Sequence, residues 1–107
     1  MPFDALTVAQ SLIPLLKKPV AAIAQHDGDL AKQIRRAASS VALNLGEGRV
    51  RAGRDRGHLF RVAFGSTAVV LVALDVAVGW GYVGEPELAE ARVALDRLRA
   101  MLYRLTR

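Results

Sequence analysis

Apolar residues recur along this chain at intervals of three and four, and this spacing divides it into four amphipathic helical segments. The predicted helices span about 4–25, 29–47, 54–78 and 86–106. No segment has the pattern of a strand hairpin. Four helices joined by short connections predict an all-α, antiparallel up-down-up-down four-helix bundle, and 107 residues suit a single domain.

The first predicted helix contains two prolines, Pro14 and Pro19. Each proline lacks a backbone donor, and its ring clashes with the preceding helical turn. We therefore predict that this helix is kinked or broken. Its apolar side is marked by Phe3, Leu6, Ile13, Leu16, Val20 and Ile23.

The second predicted helix carries a line of polar residues on one face, at intervals of four, four and three. The line consists of Arg36, Ser40, Asn44 and Glu47. Either Asp27 or Asp29 suits the N-cap of this helix. Gly46 and Gly48 are expected to end it, with Gly48 the better candidate for a left-handed residue after the last turn.

The third predicted helix is apolar nearly all round, and residues 62–74 carry no charge. Helices of this kind are buried on every side. Each helix of a small bundle exposes one side, so we expect a second subunit to cover this one, with Gly65 and Ser66 permitting close approach. The alternative is a transmembrane helix over 62–83. It is disfavoured by Asp75, because a charge at the centre of a span costs about 2.5–3.5 kcal/mol.

The net charge of +5 is concentrated in one part of the chain. Residues 32–61 contain eight basic and two acidic side chains, whereas the remainder contains seven basic and eight acidic ones. This concentration indicates an anionic partner, with nucleic acid favoured over a membrane surface. The alternative is a solvated, arginine-rich loop that keeps the protein soluble. The candidate phosphate contacts are Arg35, Arg49, Arg51, Arg54 and Arg56, followed by Arg61 and Lys32.

No aromatic residue interleaves with the arginines between 49 and 56, so base stacking and sequence readout are not expected. The sequence also has no catalytic or metal-binding signature, since it lacks cysteine and its two histidines lie in different segments. We predict a non-enzymatic protein without cofactor or metal. The lack of cysteine, and of a signal-peptide pattern in the first residues, favours a reducing, cytoplasmic location.

Residues 33–48 read QIRRAASSVALNLGEG. This stretch resembles the "QLRRA…SI..NIAEG" signature of small bacterial four-helix bundle proteins, some of which are encoded in intervening sequences of large-subunit ribosomal RNA genes. Further matches are Arg51, the run FRVAFGS at 60–66 and the run GWGY at 79–82. Together the matches cover about residues 30–83.

The resemblance implies a bundle that assembles into a ring, typically a homopentamer, with no established catalytic activity. A related bundle, the accessory protein of diversity-generating retroelements, is also a pentamer and binds nucleic acid through a basic surface. The resemblance also implies structural roles for the positions that match the family, namely Arg36, Asn44, Glu47, Gly48, Gly65 and Ser66. The chain departs from the family after Ser66, where members often carry a glutamate and this sequence reads TAVVL.

Two functions stay open at this point. The first is an oligomeric module that binds RNA or DNA by phosphate contacts and does not enter a membrane. The second is a structural scaffold, or a module that docks another protein, without nucleic-acid binding. In that case the arginines pair with acidic groups of a neighbouring chain, such as Glu85, Glu87 or Glu90.

Overall fold

Four long helices make up the fold in the computed structural model, which describes residues 4–107. They are α1 (Asp4–Ala24), α2 (Gly28–Gly48), α3 (Gly53–Gly79) and α4 (Ala89–Thr106), with a short 3-10 helix at Glu85–Leu88 before α4. Within the described residues there is no strand. The predicted all-α four-helix fold is therefore confirmed.

The helices form a closed square, because each packs against its neighbours in sequence and α1 also packs against α4. The α2–α3 contact is the most extensive. Contacts between α2 and α3 run in opposite directions along the two helices, since Ser40 contacts Ser66 and Gly48 contacts Phe60. Arg92 of α4 meets Asp75 of α3 close to their connection, so this pair is antiparallel as well.

The core consists mainly of aliphatic side chains from all four helices. Its fully buried leucines and isoleucines are Leu12, Ile23, Ile34, Leu45, Leu74, Leu88, Leu95, Leu98 and Leu102. Burial of each such side chain contributes about 1.5–3 kcal/mol. Small residues such as Ala31, Ala63 and Ala77 are also buried, and they let the helices approach closely. Phe3, predicted to mark the apolar side of the first helix, lies outside the described residues.

Helix α1 is continuous through Pro14 and Pro19, so a break does not occur at either residue. A proline in a helix interior costs about 3 kcal/mol, because it removes a hydrogen bond and crowds the preceding turn. Burial on one side of the helix opposes this cost. Leu12, Leu16 and Val20 all lie in the core, on both sides of the two prolines.

The N-cap of α2 is Asp27, whose Oδ1 accepts a hydrogen bond of 2.9 Å from the backbone N–H of Leu30. The predicted role of Gly48 is wrong. Gly48 is the last helical residue of α2, and its φ is not positive. A Cβ at Gly48 would lie 2.6 Å from Cε1 of Phe60, so a close contact with α3 excludes a side chain there.

Helix α3 ends at Gly79, one residue beyond the predicted end at 78 and within the run GWGY. Gly81 has a φ of +78°. Its backbone N–H donates to the carbonyl of Val78, and the N–H of Tyr82 donates to the carbonyl of Ala77, both at 2.9 Å. This pair of bonds forms a Schellman motif, which satisfies carbonyls of the last helical turn and reverses the chain.

Helices α1 and α3 are long and apolar enough to cross a membrane, judged by length and composition alone. Core helices of water-soluble proteins and signal sequences share this property. In the folded chain both helices contribute to the common core, through residues such as Leu12 of α1 and Leu74 of α3.

Candidate nucleic-acid interface

The antiparallel topology collects charge at the two ends of a rod of 42 × 22 × 20 Å. We define the basic end as residues 4–7, 45–63 and 104–107, and the acidic end as residues 20–32 and 75–92. The basic end contains seven basic and three acidic side chains, whereas the acidic end contains two basic and six acidic ones. The molecule is therefore strongly polarised along its long axis.

Five of the seven candidate residues lie at the basic end, in the α2–α3 connection and on the first turns of α3. These are Arg49, Arg51, Arg54, Arg56 and Arg61, all of which are exposed. The α2–α3 connection is short because Gly53 begins α3 with a φ of +60°. The tight connection keeps these arginines within one compact surface.

Arg51 is already engaged by carboxylates one turn away on either side. Its guanidinium lies 3.1 Å from Oε1 of Glu47 and 3.7 Å from Oδ2 of Asp55. Exposed pairs of this kind contribute about 0–1 kcal/mol each. Arg51 is thus partly neutralised within the chain and is the weakest candidate among the five.

Two neighbouring arginines lie flat against α3. The guanidinium of Arg56 lies 5.4 Å from the centroid of the Phe60 ring, within cation–π range. The side chain of Arg61 folds back over Gly57, where an added Cβ would lie 3.2 Å from Nη1. Glycine at position 57 therefore leaves room for this guanidinium on the helix surface.

Lys32 and Arg35 do not join this cluster. Both are exposed on the other half of α2, and Arg35 precedes Gly48 by about 20 Å along the helix axis. Arg35 lies instead at a groove of about 570 Å³ between α1 and α2, whose lining also includes Lys17 and Ile34. Proximity in sequence therefore does not bring all seven candidates onto one surface, because a helix of this length separates its two ends.

The fold adds two arginines that the sequence reasoning missed. Helix α4 runs antiparallel to α3, so Arg104 and Arg107 lie at the basic end, and both are exposed. The Arg107 guanidinium lies 5.8 Å from the ring centroid of Tyr103, whose side chain is 55% exposed. An aromatic ring therefore does lie near the arginines. The up-down topology was the signal that could have identified these residues.

The polar line of α2 joins this helix to α3. Ser66 donates a hydrogen bond of 3.0 Å to Oγ of Ser40, and Asn44 Nδ2 donates to the same oxygen at 3.0 Å and to the Ser40 carbonyl at 2.8 Å. Glu47 pairs with Arg51 one turn further on. Arg36 makes no ion pair within residues 4–107. Within the line, Ser40 connects α2 to α3 and Glu47 pairs with the α2–α3 connection, whereas Asn44 bonds within α2.

The outer side of α3 is an exposed apolar stripe, spaced three and four residues apart as in a coiled-coil seam. We define the stripe as Val62, Gly65, Val69, Val72 and Val76, all of which are exposed. Val72 is 61% exposed, and a Cβ at Gly65 would meet nothing within 4 Å. The stripe therefore plays no part in the core of a single chain.

Arg92 of α4 forms ion pairs with α3 and with the 3-10 helix at the acidic end. Its Nε donates to Oε1 of Glu85 at 2.7 Å, and its Nη2 lies 3.2 Å from Oε2 of Glu85 and 2.8 Å from Oδ1 of Asp75. The hydrogen bonds to Glu85, assisted by Asp75, raise the pKa of the Arg92 guanidinium above its ordinary value, although burial acts in the opposite direction. Within residues 4–107, no three His, Asp or Glu side chains come together as a metal site.

Comparison with known proteins agrees with this architecture. A crystal structure of a protein of unknown function, from the S23 ribosomal protein family of Bacteroides thetaiotaomicron, superimposes with a TM-score of 0.86 at 12% sequence identity. The match covers 96% of this chain and 98% of that one, and at this identity it shows the fold alone. Comparison with curated proteins finds no match. The sequence profile of the 23S rRNA-intervening sequence protein family matches residues 6–104, and the chain therefore belongs to that family.

Proposed function

We propose that this protein is a non-catalytic, self-assembling module of the cytoplasm that binds RNA or DNA through its basic end. The observation that carries the proposal is the convergence of basic residues from three parts of the chain on one end of the rod. Phosphate groups attract such a surface, and their neutralisation releases condensed counterions. The name of the family, which refers to 23S rRNA, favours RNA as the first ligand to test.

The contacts available at the basic end are mostly to phosphates. Arg49, Arg54, Arg104 and Arg107 are exposed and have no carboxylate partner within residues 4–107. Arginine forms bidentate hydrogen bonds with phosphate oxygens, which suits this role. Tyr103 adds one exposed ring on which an unpaired base could stack. Such a surface binds with little sequence preference.

Self-assembly would multiply this surface. We propose that a second copy covers the stripe on α3, and that the assembly is a homopentameric ring. The stripe and the α1–α2 groove lie on different sides of the bundle, which allows contacts between unlike surfaces of successive copies. Such contacts form a ring when the rotation between copies closes. In a ring whose rods run parallel to the symmetry axis, all basic ends lie on one face, and their combined binding exceeds that of one chain.

The proposal is tested by measuring RNA and duplex DNA binding between low and moderate salt. If about five phosphates are neutralised per chain, log K for duplex DNA falls with log salt at a slope of about −4.5. Combining Arg49→Ala, Arg54→Ala and Arg56→Ala is expected to reduce the slope to about −2 and to weaken binding at every salt concentration.

The matched control is Lys18→Ala with Arg97→Ala and Arg99→Ala, which removes three positive charges from the middle of the rod. This control should retain most of the affinity. Equal loss in both triple variants would indicate a response to net charge alone and would contradict a localised site. If the wild type does not bind in low salt while self-assembly persists, the scaffold function, which the exposed stripe favours, replaces this proposal.

A further inference from the structure

Three aromatic rings stack on one another at the acidic end. The ring centroids of His26 and Tyr82 are 5.2 Å apart, with an interplanar angle of 4°. Trp80 continues the stack at 6.4 Å from Tyr82, with an angle of 17°. Trp80 is 70% exposed, so one end of the stack is open to solvent. We refer to these three residues as the aromatic stack.

The backbone holds the aromatic stack in place. Trp80 and Tyr82 lie on either side of Gly81 in the Schellman motif, and the N–H groups of both are hydrogen-bonded to carbonyls of α3. His26 comes from the α1–α2 connection, where its N–H donates to the carbonyl of Ile23 at 3.0 Å. The rings are therefore carried by hydrogen-bonded backbone, although the exposed indole is not part of the core.

Carboxylates follow the residues of the aromatic stack in the chain, and they favour a cationic ligand at this end. Asp27 and Asp29 follow His26 in the chain, and Glu85 and Glu87 follow Tyr82. Asp27, Glu85 and Glu87 make hydrogen bonds within the chain, whereas Asp29 is exposed and forms no ion pair within residues 4–107. Phosphate would be repelled here. Faces of aromatic rings attract cations, and guanidinium in particular stacks on them.

We propose that the aromatic stack, with the carboxylates beside it, binds arginine side chains of a basic segment of another protein. A guanidinium would lie on the exposed indole of Trp80, while further arginines face Asp29 and the other carboxylates of the acidic end. The site lies at the far end of a 42 Å rod from the basic end, so both ends can be occupied at the same time. The chain would then connect a nucleic acid to a cationic protein.

The test uses the full chain and a fluorescein-labelled peptide of nine arginines. Trp80 is the sole tryptophan, so its emission reports directly on a ligand at the stack. We expect saturable binding with a change in Trp80 emission, and weaker binding of a peptide of nine lysines. Trp80→Ala should weaken the arginine peptide about 5- to 30-fold, as expected for loss of a cation–π contact. Asp29→Asn should also weaken it.

Tyr103→Ala is the matched control, because it removes an exposed ring from the basic end. It should leave peptide affinity unchanged, and circular dichroism should show that both variants keep their helical content. The proposal is overturned if Trp80 emission does not change at saturation, or if Trp80→Ala and Tyr103→Ala behave alike. It is also overturned if Trp80→Ala instead abolishes end-to-end association between copies, because the occupant would then be a second copy of this chain.

Discussion

Gly48 packs against the ring of Phe60 where the end of α2 meets α3. The sequence pattern correctly singles out this position as one that favours glycine. The predicted reason, a left-handed backbone conformation, is wrong. A glycine near the end of a predicted helix usually serves that purpose. The actual cause is a tertiary contact with a residue twelve positions later, which no local pattern reveals.

We predict that Gly48→Ala destabilises the fold by about 1–3 kcal/mol, because the new methyl group would overlap the Phe60 ring. Gly46→Ala is the control, since a Cβ at Gly46 meets nothing within 4 Å. That change should instead stabilise the helix by up to about 1 kcal/mol. Urea unfolding of the two variants measures both effects. Similar free energies of unfolding for both would contradict the role of the contact.

Arg92 is another residue whose importance depends on tertiary structure. We predict that Arg92→Ala lowers the free energy of unfolding by about 1–2 kcal/mol, because the bidentate bond to Glu85 and the bond to Asp75 are lost. Arg92→Lys should recover only part of the loss, since an ammonium cannot form the bidentate pair. Arg99→Ala, an exposed change on the same helix, should shift the value by less than about 0.5 kcal/mol.

This stabilisation should not vary near neutral pH through Arg92 itself. Because the folded-state pKa of Arg92 is raised, its contribution is complete below the ordinary pKa of arginine and is lost only as the pH rises through the raised value. A difference in stability between wild type and Arg92→Ala that vanished at mildly alkaline pH would contradict this assignment.

At the scale of elements, the boundaries of α2 and α3 follow closely from the sequence. Local signals mark them, namely the Asp27 cap and the glycines on either side of Trp80. The path of α1 was less predictable from the sequence. The local steric effect of a proline predicts a kink or a break, but it takes no account of packing against the other helices. Helix α1 continues because residues before and after Pro14 and Pro19 are buried in the core, and this burial depends on the other helices.

The stripe on α3 gives a prediction at this same scale. If a second copy covers it, Val69→Glu combined with Val72→Glu should convert the assembly to monomers, as measured by light scattering. Both positions are exposed in the single chain, so the monomer should keep its helical content. The control is Val93→Glu on α4, which is 70% exposed but lies outside the stripe. A wild type that is already monomeric, or a double variant of unchanged mass, would contradict the proposed assembly.

At the scale of the whole molecule, the grouping of charges could not be predicted from the segment 32–61 alone. Arg104 and Arg107 are distant from this segment in sequence, yet the topology brings them to the basic end. Lys32 and Arg35 belong to the segment but lie along the middle and far part of α2. The helix pattern was sufficient to predict the fold, whereas the candidate site required knowledge of which helix ends meet.

Two pairs of substitutions can distinguish the basic end from the segment 32–61 as the binding site. If the basic end binds nucleic acid, Arg104→Ala with Arg107→Ala should weaken binding and reduce the magnitude of the salt slope by about 2. Lys32→Ala with Arg35→Ala removes the same charge but should change the slope by much less. The opposite ranking in filter-binding titrations would show that sequence proximity, not the end of the rod, defines the site.

The separation of charge along the rod also affects how the molecule meets a polyanion. At physiological ionic strength, electrostatic interactions in solution decay over about 8 Å, a small fraction of the 42 Å length. A phosphate backbone at the basic end is therefore screened from the carboxylates at the other end, which do not weaken its binding. At low ionic strength the electric field of the polyanion reaches further. The oppositely charged ends of the rod then act as a dipole, which orients the basic end towards the polyanion before contact. Association should then become faster as salt is removed.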